Sequence, residues 1–315
     1  MLTPLWANLV HGLVALLWAS GVRRLLAPRS PAFTTSLLAL CVVMPVVVGL
    51  GRLLAPAAGE GDFTIFRVGA FVEALTDAAP PLGPIIWVLV AGTAGLFVAQ
   101  ELARSLSGVG VWRQVPRAAD AELEALVGRL ATAYRTAGLL ARRCPTPPVV
   151  RLETDRPVAQ LSGFRRPTIL VSRGIVSQLD AEQLEGVLAH ELAHLVFGGN
   201  RRLLFLWVLR GVQAASPAAL VLFRTLTVTL EGACDVLAVR ITGRPAALAS
   251  ALLSVHRAQV AGRPHRVAGA DRADRVLLER RVRDLLALPP GPTRASVFSV
   301  WAQAGLLGGL LWFIR

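Results

Sequence analysis

Four long apolar runs without charged side chains dominate the pattern of hydrophobic and polar positions. They cover residues 1–22, 30–51, about 81–100 and 295–314. Because a helix needs about 20 apolar residues to cross a bilayer, each run is predicted to be a transmembrane helix. Arg23 and Arg24 follow the first run and no basic segment precedes it, so we expect a retained helix rather than a cleaved signal peptide.

Between the third and fourth runs the pattern becomes that of a folded domain. Apolar positions recur at helical spacing over 118–142, which predicts a helix. From 149 to about 176, β-branched and polar residues alternate between turn signals, which predicts a small antiparallel sheet. Asp180 and Gln183 have the spacing of a capping box, so another helix is predicted to begin there and to end at Gly198.

Residues 203–230 form a further apolar stretch, interrupted by Arg210 and Arg224. One crossing there would separate the flanking residues on opposite sides of the membrane, and two crossings need about 40 residues. We therefore predict a helical hairpin that turns near Pro217 and does not cross. Whether it packs on the domain or lies on the inner leaflet is left open.

The composition agrees with a membrane protein. The chain has 315 residues, of which 54% are hydrophobic and 17% charged, and its mean hydropathy is +0.57. We predict a multi-pass α-helical membrane protein with a mainly α (α+β) cytoplasmic domain that carries the small sheet. Residues 1–104 would hold three transmembrane helices with an external loop at 53–80, residues 105–294 the domain, and residues 295–315 the fourth helix.

The placement of arginine predicts the orientation. The loop at 23–29 and the segment 101–294 are rich in arginine, whereas the loop after the second run is net acidic. Both termini should therefore lie outside and the large domain in the cytoplasm. The net charge of +13 suits attraction to anionic lipid, and the absence of a recognition-helix pattern speaks against direct nucleic acid binding.

The candidate chemistry lies in the stretch "GVLAHELAHLVFGG". His190 and His194 are one helical turn apart, the spacing that lets two imidazoles hold one zinc ion, with Glu191 beside them as a candidate general base. The alternative is a pair of buried histidines satisfied by hydrogen bonds. The three cysteines form no CxxC pair, so a disulfide framework and a four-thiolate zinc site are not indicated.

A catalytic zinc needs a third protein ligand, and the later stretch "TLEGACDVLAVR" offers one. Glu231 is predicted to bind the metal, and Asp235, one turn further, to accept the other ring N–H of a ligating histidine. A solvated helix face is the alternative for both acids. Cys234 between them is interpreted as a small buried hydrophobe rather than a fourth ligand.

The stretch from Gly163 to His194, the later "EGACD" and "LLERRVRDLL" together resemble the BlaR/MecR-type antirepressor metallopeptidases, which are membrane-embedded gluzincins. The resemblance covers essentially the whole chain, and the cysteine before Asp235 favours this family over the related HtpX-type proteases. It implies one zinc per chain on His190, His194 and Glu231, with Glu191 as general base and acid and Asp235 as support. Asn200 stands where these families often have aspartate. Beta-lactam sensors of the family continue into an external sensor domain, and since this sequence ends at Arg315 we expect no such sensing.

The resemblance implies a zinc endopeptidase of the bacterial inner membrane that cleaves a cytosolic protein, with a transcriptional repressor as the expected substrate. HtpX-like quality control and a non-catalytic zinc scaffold are the alternatives, and a homo-oligomer is left open. Substrate is expected to pair with the strand Thr168–Ser172 as an added edge. Tyr134, His256 and His265 are candidate oxyanion stabilisers, but each is better interpreted as a structural or surface residue.

Overall fold

The computed structural model describes residues 3–26, 31–54, 68–102, 115–261, 268–288 and 297–314. The chain divides into two compact units. The first comprises residues 1–109, 205–230 and 292–315, and the second comprises residues 110–204 and 231–291. Outside the described residues lie His265, part of the predicted external loop, and the predicted domain boundaries near 104 and 294.

The first unit is helical. Its helices are α1 (Thr3–Leu26), α2 (Pro31–Leu54), α3 (Val68–Ala78), α4 (Leu82–Leu96) with a π-helical continuation (Phe97–Leu102), and α12 (Val297–Trp312). Two further helices contribute part of their length: α8 (Gly199–Val212) and α9 (Pro217–Thr242). The predicted hairpin over 203–230 is therefore present as α8 and α9, and its turn immediately precedes Pro217.

The core of the first unit joins the terminal helices to the hairpin. Buried side chains of α2, such as Leu37 and Val42, form one cluster with Leu307 of α12 and with Leu222 and Leu226 of the hairpin. The hairpin thus lies in the same compact unit as the terminal helices, and the domain bounds at 105–294 stay a prediction. The hairpin is rich in apolar side chains, and these pack against the apolar side chains of the terminal helices.

Within the described residues, two helices are long and apolar enough to cross a membrane, Pro31–Leu54 and Leu82–Ala99. Val300–Trp312 is a shorter apolar helix, and α1 covers the first apolar run. The number of crossings and the orientation of the termini stay predictions.

The second unit is mainly helical around one small sheet. The strands are β1 (Arg117–Ala118), β2 (Val149–Leu152), β3 (Ala159–Ser162) and β4 (Thr168–Ser172). The helices are α5 (Ala121–Thr136), α6 (Arg173–Gln178), α7 (Ala181–Val196), the end of α9, α10 (Pro245–Ala261) and α11 (Ala268–Leu286).

The sheet is mixed, and this corrects the predicted antiparallel one. Its strand order is β1-β2-β4-β3, with β2 and β4 parallel and the other two pairs antiparallel. Strand β4 is therefore central, so the prediction that Thr168–Ser172 forms an edge is wrong. Alternating residues predict strands, but the pairing of β3 on the far side of β4 depends on long-range packing that the local pattern does not contain.

Helix α7 is fixed at both ends as the sequence predicts. The Asp180 side chain accepts a hydrogen bond from the backbone N–H of Gln183 at 2.8 Å, and the Asp180 N–H donates one to the Gln183 side-chain oxygen, completing the capping box. Gly198 has φ 89°, a left-handed conformation that ends the helix. At Gly186 a side chain would come within 3.4 Å of Leu248, so glycine lets α10 approach α7 closely, one turn before His190.

Candidate metal centre

Helix α7 presents two imidazoles to one point. The ring centroids of His190 and His194 are 5.1 Å apart, and both Nε2 atoms approach the carboxylate of Glu231 on α9. The His190 Nε2 lies 3.5 Å from Glu231 Oε2, and the His194 Nε2 lies 3.8 Å from Glu231 Oε1. One ligand atom of each residue lies within 4.8 Å of the others. Tetrahedral zinc ligands are about 3.3 Å apart, so the two separations between histidine and Glu231 are already close to those of a zinc site.

The far side of His190 is held by Asp235. The His190 Nδ1 lies 2.8 Å from Asp235 Oδ1, and the Asp235 side chain is only 3% exposed. A carboxylate at Nδ1 favours the tautomer that carries its proton there, which leaves the Nε2 lone pair free to bind a metal. The structure therefore places Asp235 behind a histidine, where the sequence predicted it.

The far side of His194 faces Cys234. The Cys234 Sγ lies 3.5 Å from His194 Nδ1, opposite the nitrogen that points at Glu231. Burial raises the pKa of the Cys234 thiol, so it stays protonated at neutral pH. The thiol is thus a buried neighbour that orients an imidazole, a contact that the interpretation as a small hydrophobe did not include.

Glu191 sits between the helix and the edge strand. Its Oε2 accepts a hydrogen bond from the backbone N–H of Leu161 on β3 at 2.7 Å. The Asn200 side chain donates to the carbonyl of the same residue at 3.0 Å, which assigns Asn200 to anchoring the strand. Burial raises the pKa of Glu191 to about 7, so this carboxylate can both accept and release a proton near neutrality.

Arg281 on α11 completes the polar cluster, and sequence reasoning missed it. Its Nε and one terminal nitrogen donate to the two oxygens of Asp235, each at 2.7 Å. Its other terminal nitrogen lies 3.3 Å from Glu231 Oε2. The only sequence signal was the stretch "LLERRVRDLL", which contains several arginines without indicating which one turns inward.

The surroundings of the two histidines shift their pKa values in opposite directions. Burial alone would lower the pKa of His190, but the carboxylates of Asp235 and Glu231 outweigh it and raise that pKa to about 10. Burial lowers the pKa of His194 to about 4. Desolvation opposes ionisation of Glu231, yet His190 and Arg281 bring its pKa down to about 2. Without a metal, one cationic and one neutral imidazole therefore face an ionised carboxylate.

A cavity of about 510 Å³ opens beside these residues, and His190, Glu191, Glu231 and Arg281 line it at one end. The edge strand β3 lines another side through Ala159 and Gln160. Apolar side chains line much of the rest, comprising the buried Ile175, Val187 and Leu248 and the partly exposed Leu252, Val255 and Ala258.

Two candidate oxyanion stabilisers, Tyr134 and His256, have other contacts or positions. The Tyr134 hydroxyl is buried and donates to the backbone carbonyl of Ala189 at 2.8 Å, so it braces α7. His256 is partly exposed on α10 and does not line the cavity.

Comparison with known proteins finds similarity over the part of the chain that contains the metal centre. Residues 117–265 match peptidase family M48. A "Protease HtpX homolog" of Salinibacter ruber is 31% identical over an alignment of 214 residues, and the match covers 55% of this chain and 74% of that protein. A "Protease HtpX homolog" of Bacillus subtilis is 30% identical over 43% of this chain and 46% of its own length. "Protease HtpX homolog 1" of Streptomyces coelicolor is 34% identical over 45% of this chain and 56% of its own length.

Proposed function

Because this chain belongs to peptidase family M48, in its HtpX-type branch, we propose that it is a membrane-associated zinc endopeptidase that removes damaged or misassembled membrane proteins. The observation that carries the proposal is the convergence of His190, His194 and Glu231 within 4.8 Å, with Glu191 beside them. A purely structural metal site has no need of that buried glutamate, which argues against a non-catalytic scaffold.

In the proposed mechanism, His190, His194 and Glu231 would hold the zinc. The ion, when bound, supplies Lewis-acid polarisation of the peptide carbonyl and lowers the pKa of water. Glu191 takes the proton from the attacking water and later gives it to the leaving amine, a double role that its pKa of about 7 permits. The Leu161 N–H keeps the Glu191 carboxylate in place between these two steps.

We propose that the substrate backbone pairs with β3 instead of β4. Leu161 turns its N–H and carbonyl away from β4, toward Glu191 and Asn200, whereas Val158 turns its carbonyl toward Ser172 of β4. In an antiparallel pair these directions alternate, so the backbone groups of Ala159 also face away from β4, on the cavity side. An extended peptide can add a strand there.

The apolar wall of the cavity supports a substrate with apolar side chains near the scissile bond. Leu248, Leu252 and Val255 recur at helical spacing along α10 and present one apolar stripe to the cavity. Segments of this composition are buried in folded soluble proteins and become accessible in damaged membrane proteins. The stripe and the HtpX relatives both fit quality control better than the cleavage of a repressor.

Cleavage of a cytosolic repressor is the second candidate, supported by the resemblance of "EGACD" to the antirepressor type. The proposed location is the inner membrane, with the lipid bilayer as partner and the active site in the cytoplasm. The arginine-rich segment 101–294 supports this orientation.

Amino-terminal labelling of proteomes from cells expressing wild type or Glu191→Ala tests the proposal. Quality control predicts many wild-type-dependent fragments from membrane proteins, with apolar residues beside the cleaved bond. One dominant fragment from a single cytosolic DNA-binding protein would support the second candidate instead. Identical fragment patterns in the two strains would contradict the proposed protease function.

A further inference from the structure

Arg281 is connected to two of the three proposed ligands, to one directly and to the other through Asp235. It grips both oxygens of Asp235 at 2.7 Å, and its remaining terminal nitrogen lies 3.3 Å from Glu231 Oε2. Asp235 in turn lies 2.8 Å from His190 Nδ1. The guanidinium therefore contacts Glu231 directly and His190 through a single carboxylate.

We infer that Arg281 is a positioning residue for the metal centre, which fixes Asp235 against His190 and holds Glu231 in its ligating orientation. The inference rests on the proposed metal site. A carboxylate that must orient an imidazole needs its own orientation fixed, and two parallel hydrogen bonds from a planar guanidinium do this better than one bond.

Burial gives the Arg281–Asp235 contact its importance. The Asp235 side chain is 3% exposed and that of Arg281 is 22% exposed, so water cannot replace the guanidinium without opening the site. Removing one member of such a buried pair leaves the other charge without compensation. Lysine keeps the charge but cannot form the two-pronged contact with both carboxylate oxygens.

An opposing effect has to be weighed, because a cation near the site repels a metal ion and competes for Glu231. The guanidinium shares its charge with Asp235, and this bidentate pair is close to neutral as seen from the ligands. Its contact with Glu231 is also the longest of the three, at 3.3 Å. The loss of orientation therefore outweighs the relief of repulsion, and removal of Arg281 should weaken metal binding.

The neighbouring arginine supplies a matched control. Arg280 lies on the same helix with its side chain 64% exposed, and it pairs with Asp284 one turn further along. Arg280→Ala removes the same side chain and the same charge from α11 but leaves the metal centre untouched.

The test measures zinc affinity of the full-length, metal-stripped protein in detergent by competition with a chelator. We expect Arg281→Ala to bind zinc about 10–100-fold more weakly than wild type, Arg281→Lys to fall between them, and Arg280→Ala to match wild type. Asp235→Ala combined with Arg281→Ala should cost less than the two single losses multiplied together, since Arg281 acts largely through Asp235.

A second readout separates positioning from general stabilisation. Cobalt(II) bound in place of zinc should show an altered visible absorption spectrum in Arg281→Ala and Arg281→Lys, but not in Arg280→Ala. Wild-type affinity and a wild-type cobalt spectrum in Arg281→Lys would overturn the inference, even if Arg281→Ala does not fold. Tighter zinc binding by Arg281→Ala would also overturn it, by showing that the guanidinium acts as a competing cation. Failure of the wild-type protein to bind zinc would instead remove the proposed metal site on which the inference rests.

Discussion

The unequal histidines of the metal centre predict an unusual pH dependence of zinc binding. Burial opposes protonation of His190, yet Asp235 and Glu231 raise its pKa to about 10, whereas burial lowers the pKa of His194 to about 4. At neutral pH a zinc ion must therefore displace one proton, from His190, and none from His194. Isothermal titration in two buffers of different ionisation enthalpy should show about one proton released per zinc.

The size of the effect follows from that single proton. While the pH is below the pKa of His190, apparent zinc affinity rises about tenfold per pH unit, or about 30-fold between pH 7 and 8.5. Two histidines with ordinary pKa values near 6.5 would give a change of less than about twofold over the same range. Chelator competition at these two pH values distinguishes the cases.

The raised pKa of His190 also makes the stability of the metal-free protein depend on pH. Since the folded pKa of His190 lies above its ordinary value, the protonated imidazole stabilises the fold fully below about pH 6.5, and this contribution is lost as the pH rises toward about 10. Asp235→Asn removes one of the raising charges, so it should flatten both the zinc and the stability profiles. A wild-type affinity that is level above pH 7 would refute the assigned cluster electrostatics.

Three further predictions concern the catalytic residue, the supporting acid and the topology. Glu191→Gln should keep wild-type zinc content by mass spectrometry and lose peptide cleavage by at least about 100-fold, and undiminished cleavage would exclude it as general base. Asp235→Ala should bind zinc about 10–100-fold more weakly and regain activity with added zinc, with Asp235→Asn milder; normal binding by the alanine variant would remove Asp235 from the site. Reporter fusions near residue 70 should read as external and those near residues 26 and 150 as cytoplasmic, and an external signal at 150 would reverse the proposed orientation.

The parts of the site that could be predicted from the sequence are those set by helical spacing. His190 and His194 share a face because they are four residues apart on one helix, and the same rule pairs Glu231 with Asp235. Helical spacing does not show that α7 and α9 are in contact. That contact was predicted from chemistry, because a catalytic zinc needs a third protein ligand.

Arg281 could not be found in this way. The residue beside it, Arg280, is also arginine and faces solvent, so residue type does not distinguish them. Which of the two turns inward depends on how α11 rotates against α10, and this is decided by packing along the whole helix. The mainly helical second unit and its small sheet were predicted, but the strand order was not, because alternation of residues does not encode which strands pair.

The order in which the ligands occur along the chain has a consequence for biosynthesis. The histidines of α7 leave the ribosome first, then the apolar hairpin of residues 205–230, and only afterwards Glu231 and Asp235, with Arg281 later still. At roughly 5–20 residues per second, several seconds pass between synthesis of the first ligand and of the last. The nascent chain therefore cannot acquire the complete ligand set, and the cleavage activity proposed for it, before its hairpin has been made. With this order of segments, a growing chain is protected from its own chemistry until the hairpin has been synthesised.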